Sequence, residues 1–462
     1  MDKSGTTDAA AARPLGLATH GRVLASAAML GGMVVLVKLV AFAKDWLVAQ
    51  RFGASDELDA FLVALVIPSY AVVVLAHSFG MAFIPTYIRV AHRDGAPAAK
   101  HLAASALVSG MLVLIAMTLA LATSARHLLP WIGTGFDASK LALALSLFYV
   151  LTSVLIASGV STILAAVLNA NDRFAIASLA PLFVPLVTVL VFWFGQERYG
   201  IYALAAGTLC GFICETLILS VAALRRGLLA WPDGRGFDAS LRFVGRQYVP
   251  VAIGSLLMSS SLVVDQAMAA SLGSGSVSVL NYGNKIVALV LGVVAVSLTT
   301  VLFPRFSRLI AEGRLSELTH TIRVFGALIV VVSVPMIVVL TLLSEPLVRL
   351  VFERGAFTPE TTVAVSEVQR WLLPQIPFYV LVMVGYRLLS ALDGNALLLR
   401  IGALNLLMNV AGNLVFMHWF GVKGIAMSTS LVYVVATLAT FGAIKIKLAE
   451  ARRPTLDSVE TA

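Results

Sequence analysis

The residues with the most chemistry to offer are charged side chains set inside long apolar runs: Lys38, Lys44, Asp45, Glu215, Asp265, Lys285 and Arg387, with Asp59 opening another run. A charge at mid-bilayer costs at least about 2.5–3.5 kcal/mol, so such a group faces a cavity or a partner. Lys38, Lys44 and Lys285 make the set predominantly cationic. A cationic cavity suits an anionic ligand, most naturally a phosphate or diphosphate, which ammonium groups bind as point charges. These three lysines are candidate substrate-binding residues. Asp45, Glu215, Asp265 and Arg387 are candidate charge partners or ion-coupling groups. A plainer reading stands beside this one. Lys44 and Asp45 lie near enough to a helix end to snorkel, Asp59 and Arg387 fit end-of-helix or pairing charges, and Lys38 or Lys285 could pair internally with Asp265 or Glu215.

The elements that position these charges follow from composition. The 462 residues are 59% hydrophobic and 12% charged, about half the charge of a soluble domain. That excludes a cytosolic enzyme, a disordered chain and a nucleic-acid-binding domain, and the net charge of +9 reads as basic cytoplasmic loops. With about 20 apolar residues needed per span, twelve candidate spans centre on 24–50, 60–88, 100–124, 141–168, 175–195, 201–224, 248–272, 278–303, 324–344, 363–390, 397–419 and 424–444. Runs this long are helices rather than barrel strands. Polar breaks separate them, among them Phe52-Gly53-Ala54-Ser55, Asn169-Ala170-Asn171-Asp172 and Asp393-Gly394-Asn395. On the alternating topology, 21 Lys and Arg fall in segments on one side and 8 on the other, which predicts both termini in the cytoplasm. Residues 1–21 read as a disordered cytoplasmic N-terminus and not a signal peptide; 447–462 read as a cytoplasmic tail. Cys210 and Cys214 are expected as small packing residues on one helix face.

The two halves echo each other. Asp45 to Gly53 matches Asp265 to Gly273, and Phe83-Ile84-Pro85 with Arg89 matches Leu302-Phe303-Pro304 with Arg308. Leu168–Asn171 pairs with Leu392–Asn395, and Phe194-Gly195 before Gly200-Ile201 with Phe420-Gly421 before Gly424-Ile425. The expected fold is therefore all-α and polytopic: two parallel six-helix repeats, 22–224 and 248–446, around a central cavity, a layout of secondary transporters. A basic cytoplasmic link, 225–247, joins them, and Phe237–Tyr248 could lie along the membrane surface. No phosphate-binding loop, zinc-ligand spacing or nucleophile elbow is present, so no cofactor or metal and no enzymatic activity are expected. Coupling to the membrane potential or a cation gradient would supply any driving force.

Val37–Asp45, Phe52–Ser55, Asp59-Ala60-Phe61 and Ile67-Pro68 together resemble the opening of the MurJ/MviN family. So do Gly275–Ser278 with Tyr282 and Lys285, Leu302–Arg308, and Phe352–Thr358. The resemblance covers roughly 22–445. It implies the fold of the multidrug/oligosaccharidyl-lipid/polysaccharide exporter superfamily and a flippase that moves undecaprenyl-diphosphate-linked sugars, typically lipid II, across the bacterial inner membrane by alternating access. The family's cavity arginines fall here on Lys38, Lys44 and Lys285, and its acidic residue opening the second span falls on Asp59, which joins the candidate substrate-binding set. Its paired arginines in that span have no counterpart in Ala71–Phe79. Its two further C-terminal spans have none either. The implied partners are a lipid-linked glycan, the bilayer and other cell-envelope synthesis proteins. An exopolysaccharide or O-antigen repeat-unit flippase is the alternative, ahead of a cation-coupled exporter or a membrane polymerase.

Overall fold

The computed structural model describes residues 17–230, 239–392 and 394–452. Sixteen α-helices and one 3-10 turn fill the described residues, which contain no strand. The first half comprises α1 (Leu17–Phe52), α2 (Asp56–Arg93), α3 (Gly95–Ile132), α4 (Ala138–Thr152), α5 (Val154–Ala170), α6 (Phe174–Leu179), α7 (Phe183–Tyr199) and α8 (Ile201–Arg225). The second comprises α9 (Ala239–Ala270), α10 (Ser276–Ala311), α11 (Leu315–Leu342), α12 (Ser344–Phe352), α13 (Pro359–Leu372), α14 (Gln375–Ala391), α15 (Asn395–Phe420) and α16 (Val422–Arg452). Among the described residues, ten spans are long and apolar enough to cross a membrane, or eleven with the bent pair α13–α14. The charged α1, 36 residues long, occupies the place of the twelfth.

Three expected spans are broken rather than continuous. Pro181 sits in the 3-10 turn Ala180–Leu182 between α6 and α7, and Pro374 lies at the 44° bend between α13 and α14; a proline lacks the N–H that would carry the helix through. The third break, at Ser153 between α4 and α5, has no proline, and there the Ser153 N–H reaches Val150 and Leu151 instead of continuing the α ladder. The stretch after α11 contributes the short helix α12, whose Arg349 bridges Glu345 at 2.9 Å and Glu353 at 3.3 Å while Val348 and Phe352 turn inward.

The repeat is visible in hydrogen bonds. Thr216 on α8 donates to the Ala157 carbonyl of α5, and Thr437 on α16 donates to the Phe378 carbonyl of α14. The shift that carries Thr216 to Thr437 also carries Gly200 to Gly421, and both glycines end a helix at positive φ (51° and 60°). Two of the expected motif pairings are therefore out of register: Gly421 corresponds to Gly200, not Gly195, and Leu392 to Asn171, not Leu168. Dipeptides containing Gly recur too often in apolar spans to fix a register alone. The equivalent helices α3 and α11 both present apolar faces outward, with Leu112 61% and Val331 66% exposed, as lipid-facing helices do.

Consecutive spans alternate in direction, so one end of the bundle carries the connection between the halves (the link end). The opposite, far end carries the α1–α2 and α9–α10 turns. Trp131, Phe194 and Trp419 are exposed at the far end, where aromatic side chains sit at a membrane interface. Helix α1 begins at Leu17, so Leu17–Gly21 are helical, not disordered; residues 1–16 and 453–462 lie outside the described residues. Of the link, 231–238 lie outside them as well. From Ala239 the chain is already part of α9, and Val244 is buried against α2, α3 and α5, so 239–248 is the root of a span and not a separate surface helix. Cys210 is exposed on α8, which corrects its reading as a packing residue; Cys214 is half-buried.

Candidate functional site

Between the halves lies a cavity of about 650 Å³. Helices α1 and α2 contribute Lys38 and Tyr70; the second half supplies most of the wall, including Asp265 on α9, Asn281 and Asn284 on α10, and Tyr379 and Tyr386 on α14. Lys38 is exposed to this space and has no ion partner among the described residues. Neutral donors and acceptors otherwise dominate its polar lining, a surface able to hydrogen-bond hydroxyls and amides as well as one anionic group.

Lys44, Asp45 and Lys285 come together at one point. Lys44 Nζ lies 3.0 Å from Asp45 Oδ1, and Lys285 Nζ 2.8 Å from Asp45 Oδ2. All three side chains are partly buried, at 30%, 15% and 27% exposure. The cluster spans the two halves, since Lys285 reaches from α10 to α1. It keeps a net charge of +1, but each oxygen of Asp45 already holds an ammonium group. The expected pairing of Lys285 with Asp265 or Glu215 is not what forms. Three of the four expected substrate-binding groups thus divide into a Lys38 on the cavity wall and a pre-paired lysine couple that is not part of that wall.

Asp59 is elsewhere. It is fully buried at the far end and binds the start of α10: Oδ2 accepts from Gly275 N at 2.8 Å, and Oδ1 from Ser278 N at 2.8 Å and Ser278 Oγ at 2.6 Å. Lys140, at the start of α4, closes the charge balance at 3.0 Å and also reaches Asp56. Asp59 therefore acts as the anionic cap of a helix from the other half, with no lone pair left for substrate. Its assignment as a substrate-binding residue is corrected on that ground. Asp137 caps α4 in turn, and the hydrogen bond from Lys140 N holds its carboxyl below the usual carboxylate range.

The same layer contains the α1–α2 break and the segment after α12. Ala356 N donates to Gln50 O at 2.9 Å. Gly53 and Gly355 both have positive φ (54° and 59°), and a Cβ on either would collide with the opposing backbone. Behind them Tyr282, Phe352 and Phe357 pack ring to ring at 5.3–5.7 Å, with Phe42 5.8 Å from Phe352. The far end is closed by this interlock.

Asp265 lines the cavity and accepts from Asn409 Nδ2 at 2.9 Å, Asn413 Nδ2 at 2.7 Å and, at 3.4 Å, Thr429 Oγ1. Amides and a hydroxyl, not a lysine, surround it. Glu215 is buried in α8, is not on the wall of this cavity and pairs with no cation among the described residues. Arg387 is exposed on α14 and is not part of the cavity wall. Lys140, Asp56, Asn409, Asn413 and Thr429 were not singled out from the sequence. For Asn409 and Asn413 the signal was available: two amides one helical turn apart in an apolar span. For Lys140, which reads as a loop residue, there was none.

The family model described as "Lipid II flippase MurJ" matches residues 48–453. The probable lipid II flippase MurJ of Rhizobium meliloti (strain 1021) is 26% identical over 364 residues, covering 77% of this chain and 68% of the relative. That of Vibrio cholerae is 24% identical over 426 residues, covering 89% and 80%. A solved lipid II flippase MurJ in an inward closed conformation superposes with a TM-score of 0.78 at 20% identity, covering 93% of this chain and 90% of the other. An inward-facing multidrug resistance MATE transporter of the MOP superfamily gives 0.75 at 13% identity, covering 92% and 96%; an outward-facing MATE form gives 0.66 at 16%, covering 94% and 96%. The chain belongs to the MurJ family and has its two-repeat, multi-pass membrane fold.

Proposed function

We propose that this MurJ-family chain is a flippase that carries a polyprenyl-diphosphate-linked glycan of the lipid II class across the bacterial inner membrane, and is a transporter rather than an enzyme. The observation that carries the reading is the placement of Lys38 on the wall of a cavity between the two halves, together with a Lys44–Asp45–Lys285 cluster that joins them. Lys38 offers the diphosphate a charge that no protein carboxylate has claimed. Lys44 and Lys285 exchange Asp45 for phosphate oxygens when the headgroup arrives. The amide and tyrosine wall of the second half receives the neutral part of the headgroup.

The sealed far end, with TM-scores of 0.78 on the inward closed MurJ form and 0.75 on the inward-facing MATE form against 0.66 on the outward-facing one, supports a conformation closed at the far end and facing the link end. With the basic segments cytoplasmic, that is the side on which the precursor is made. Asp265 is the group we assign to coupling: a carboxylate in the membrane held by neutral donors can bind or release a cation or proton as the halves move. Other cell-envelope synthesis proteins are the expected neighbours.

Complementation of a strain depleted of its own lipid II flippase is the test, paired with deletion in the native host. Rescue together with loss of viability on deletion is the expected result. Failure to rescue, with viable cells lacking a surface polysaccharide, would reassign the substrate to an exopolysaccharide or O-antigen unit.

A further inference from the structure

A second cavity, of about 300 Å³, runs from the link end toward the middle of the bundle, between α2, α3 and α5 of the first half and the first turns of α9. Its walls are hydrocarbon: Leu75 and Phe79 on α2, Val113 on α3, Ile163 on α5 and Val244 on α9. Among the described residues that line it, Arg242 alone is charged; it is exposed and sits where α9 emerges at the link end. Arg246, one turn on, is exposed too, and Arg89 holds its guanidinium 5.1 Å from the Phe243 ring. Val113 is 59% exposed, so the α3 wall borders the lipid. The cleft is distinct from the central cavity: on α2 and α9 it uses residues nearer the link end than Tyr70 and Ser259, which line that cavity.

An apolar slot between membrane helices with a guanidinium at its polar end matches an amphiphile with one hydrocarbon chain inside and an anionic head outside. We propose that this cleft holds an acyl chain of an anionic phospholipid, with the lipid phosphate on Arg242. Charge complementarity chooses the anionic headgroup. The position of the slot within the spans, bordering lipid along α3, chooses bilayer hydrocarbon as its filling. The bound lipid bridges α9 of the second half to the first half, at the end where the halves must rearrange. The inference does not depend on what the protein transports.

Gly245 provides the means to test it. It lines the cleft, and a Cβ there meets nothing within 4 Å. Gly245→Leu therefore fills the slot without touching the backbone, while improving helix propensity. The full chain is reconstituted in vesicles of mixed phosphatidylglycerol and phosphatidylcholine, with a photoreactive diazirine on the acyl chain of either lipid, and labelled peptides are mapped by mass spectrometry. Phosphatidylglycerol should label 159–163, the largely buried α5 wall of the cleft, about fivefold more than phosphatidylcholine, the factor one arginine contributes near an anionic headgroup. Gly245→Leu should remove that labelling and leave the exposed faces of α11 labelled as before. Arg242→Gln, a surface change, should keep the acyl labelling and erase the preference. Equal labelling by both lipids in the unaltered chain, or cleft labelling indifferent to Gly245→Leu, would overturn the proposal. So would displacement of the phospholipid by an equimolar polyprenyl-phosphate probe, which would assign the cleft to an isoprenoid tail.

Discussion

Lys38, Lys44 and Asp45 on α1 and Lys285 on α10 do different jobs. Lys38 is exposed to the cavity and unpaired among the described residues, which leaves its charge available to a ligand. Lys38→Ala should abolish transport while leaving insertion and thermal stability nearly unchanged, and Lys38→Arg should retain transport because the charge survives. Lys285 is tied to Asp45 at 2.8 Å, and breaking a buried pair by removing one partner costs about 3–5 kcal/mol; partial exposure at this site reduces that. Lys285→Ala should therefore lose transport and lower the melting temperature together, with Lys285→Arg restoring both. Transport assays in vesicles beside melting curves separate the two behaviours. Normal transport by both alanine variants would remove the lysines from the site. Lys38 and Lys285 were legible as functional candidates because a lysine in an apolar run is costly wherever it points. The partner of Lys285 was not, because Asp45 and Lys285 meet only through the approach of α1 to α10.

At the scale of elements, the motifs that carry the family resemblance prove to be parts of one closure. Phe52–Ser55, Gly275–Ser278 and Phe352–Thr358 lie far apart in the chain and share a layer at the far end. Sequence inspection found the segments but read Asp59 as facing substrate, since the helix it caps begins 216 residues later. Asp59→Asn tests the corrected role. It removes the charge opposite Lys140 and one acceptor facing the α10 amides, and hydrogen bonds to charged groups are worth about 1.5–3 kcal/mol each. Reagents that label the far end from outside should gain access to Ser276, which is buried in the closed layer, when it is replaced by cysteine. Unchanged accessibility would mean that Asp59 does not hold the closure. The repeat gives a related lesson. Asp45 and Asp265 are equivalent carboxylates in the two halves, as the shared spacing to Gly53 and Gly273 implied. Their surroundings have diverged, however, to two lysines in one half and two asparagines with a threonine in the other. Spacing reveals the equivalence; only packing reveals the divergence.

Taken whole, the molecule is two similar bundles that meet along seams at opposite ends of a cavity, and transport requires one seam to part. The far-end seam is held by Asp59 of α2 bonding the start of α10, by Gln50 O with Ala356 N, and by close backbone contact at Gly53 and Gly355. Nearer the link end, Tyr70 on α2 bonds Ser260 at 2.9 Å, and Ser78 bonds Ser255 at 3.3 Å, both on α9. The far-end layer combines a buried ion pair with a cross-half cap. The α2–α9 contacts nearer the link end are neutral hydroxyl bonds, each worth only about 0.5–1.5 kcal/mol. Alternating access therefore turns on releasing the far end. A covalent bond across it should stop the cycle while leaving the seam nearer the link end free to part. Gln50→Cys with Ala356→Cys, made in a background with Cys210 and Cys214 replaced by serine, puts two thiols on backbones already joined by a 2.9 Å hydrogen bond, close to the Cα spacing a disulfide requires. Oxidation should halt delivery of lipid-linked precursor to the outer face, reduction should restore it, and the oxidised protein should still bind the precursor at the undiminished Lys38 site. Delivery by fully cross-linked protein at the uncross-linked rate would show that the far end need not open, and alternating access would then fail for this chain.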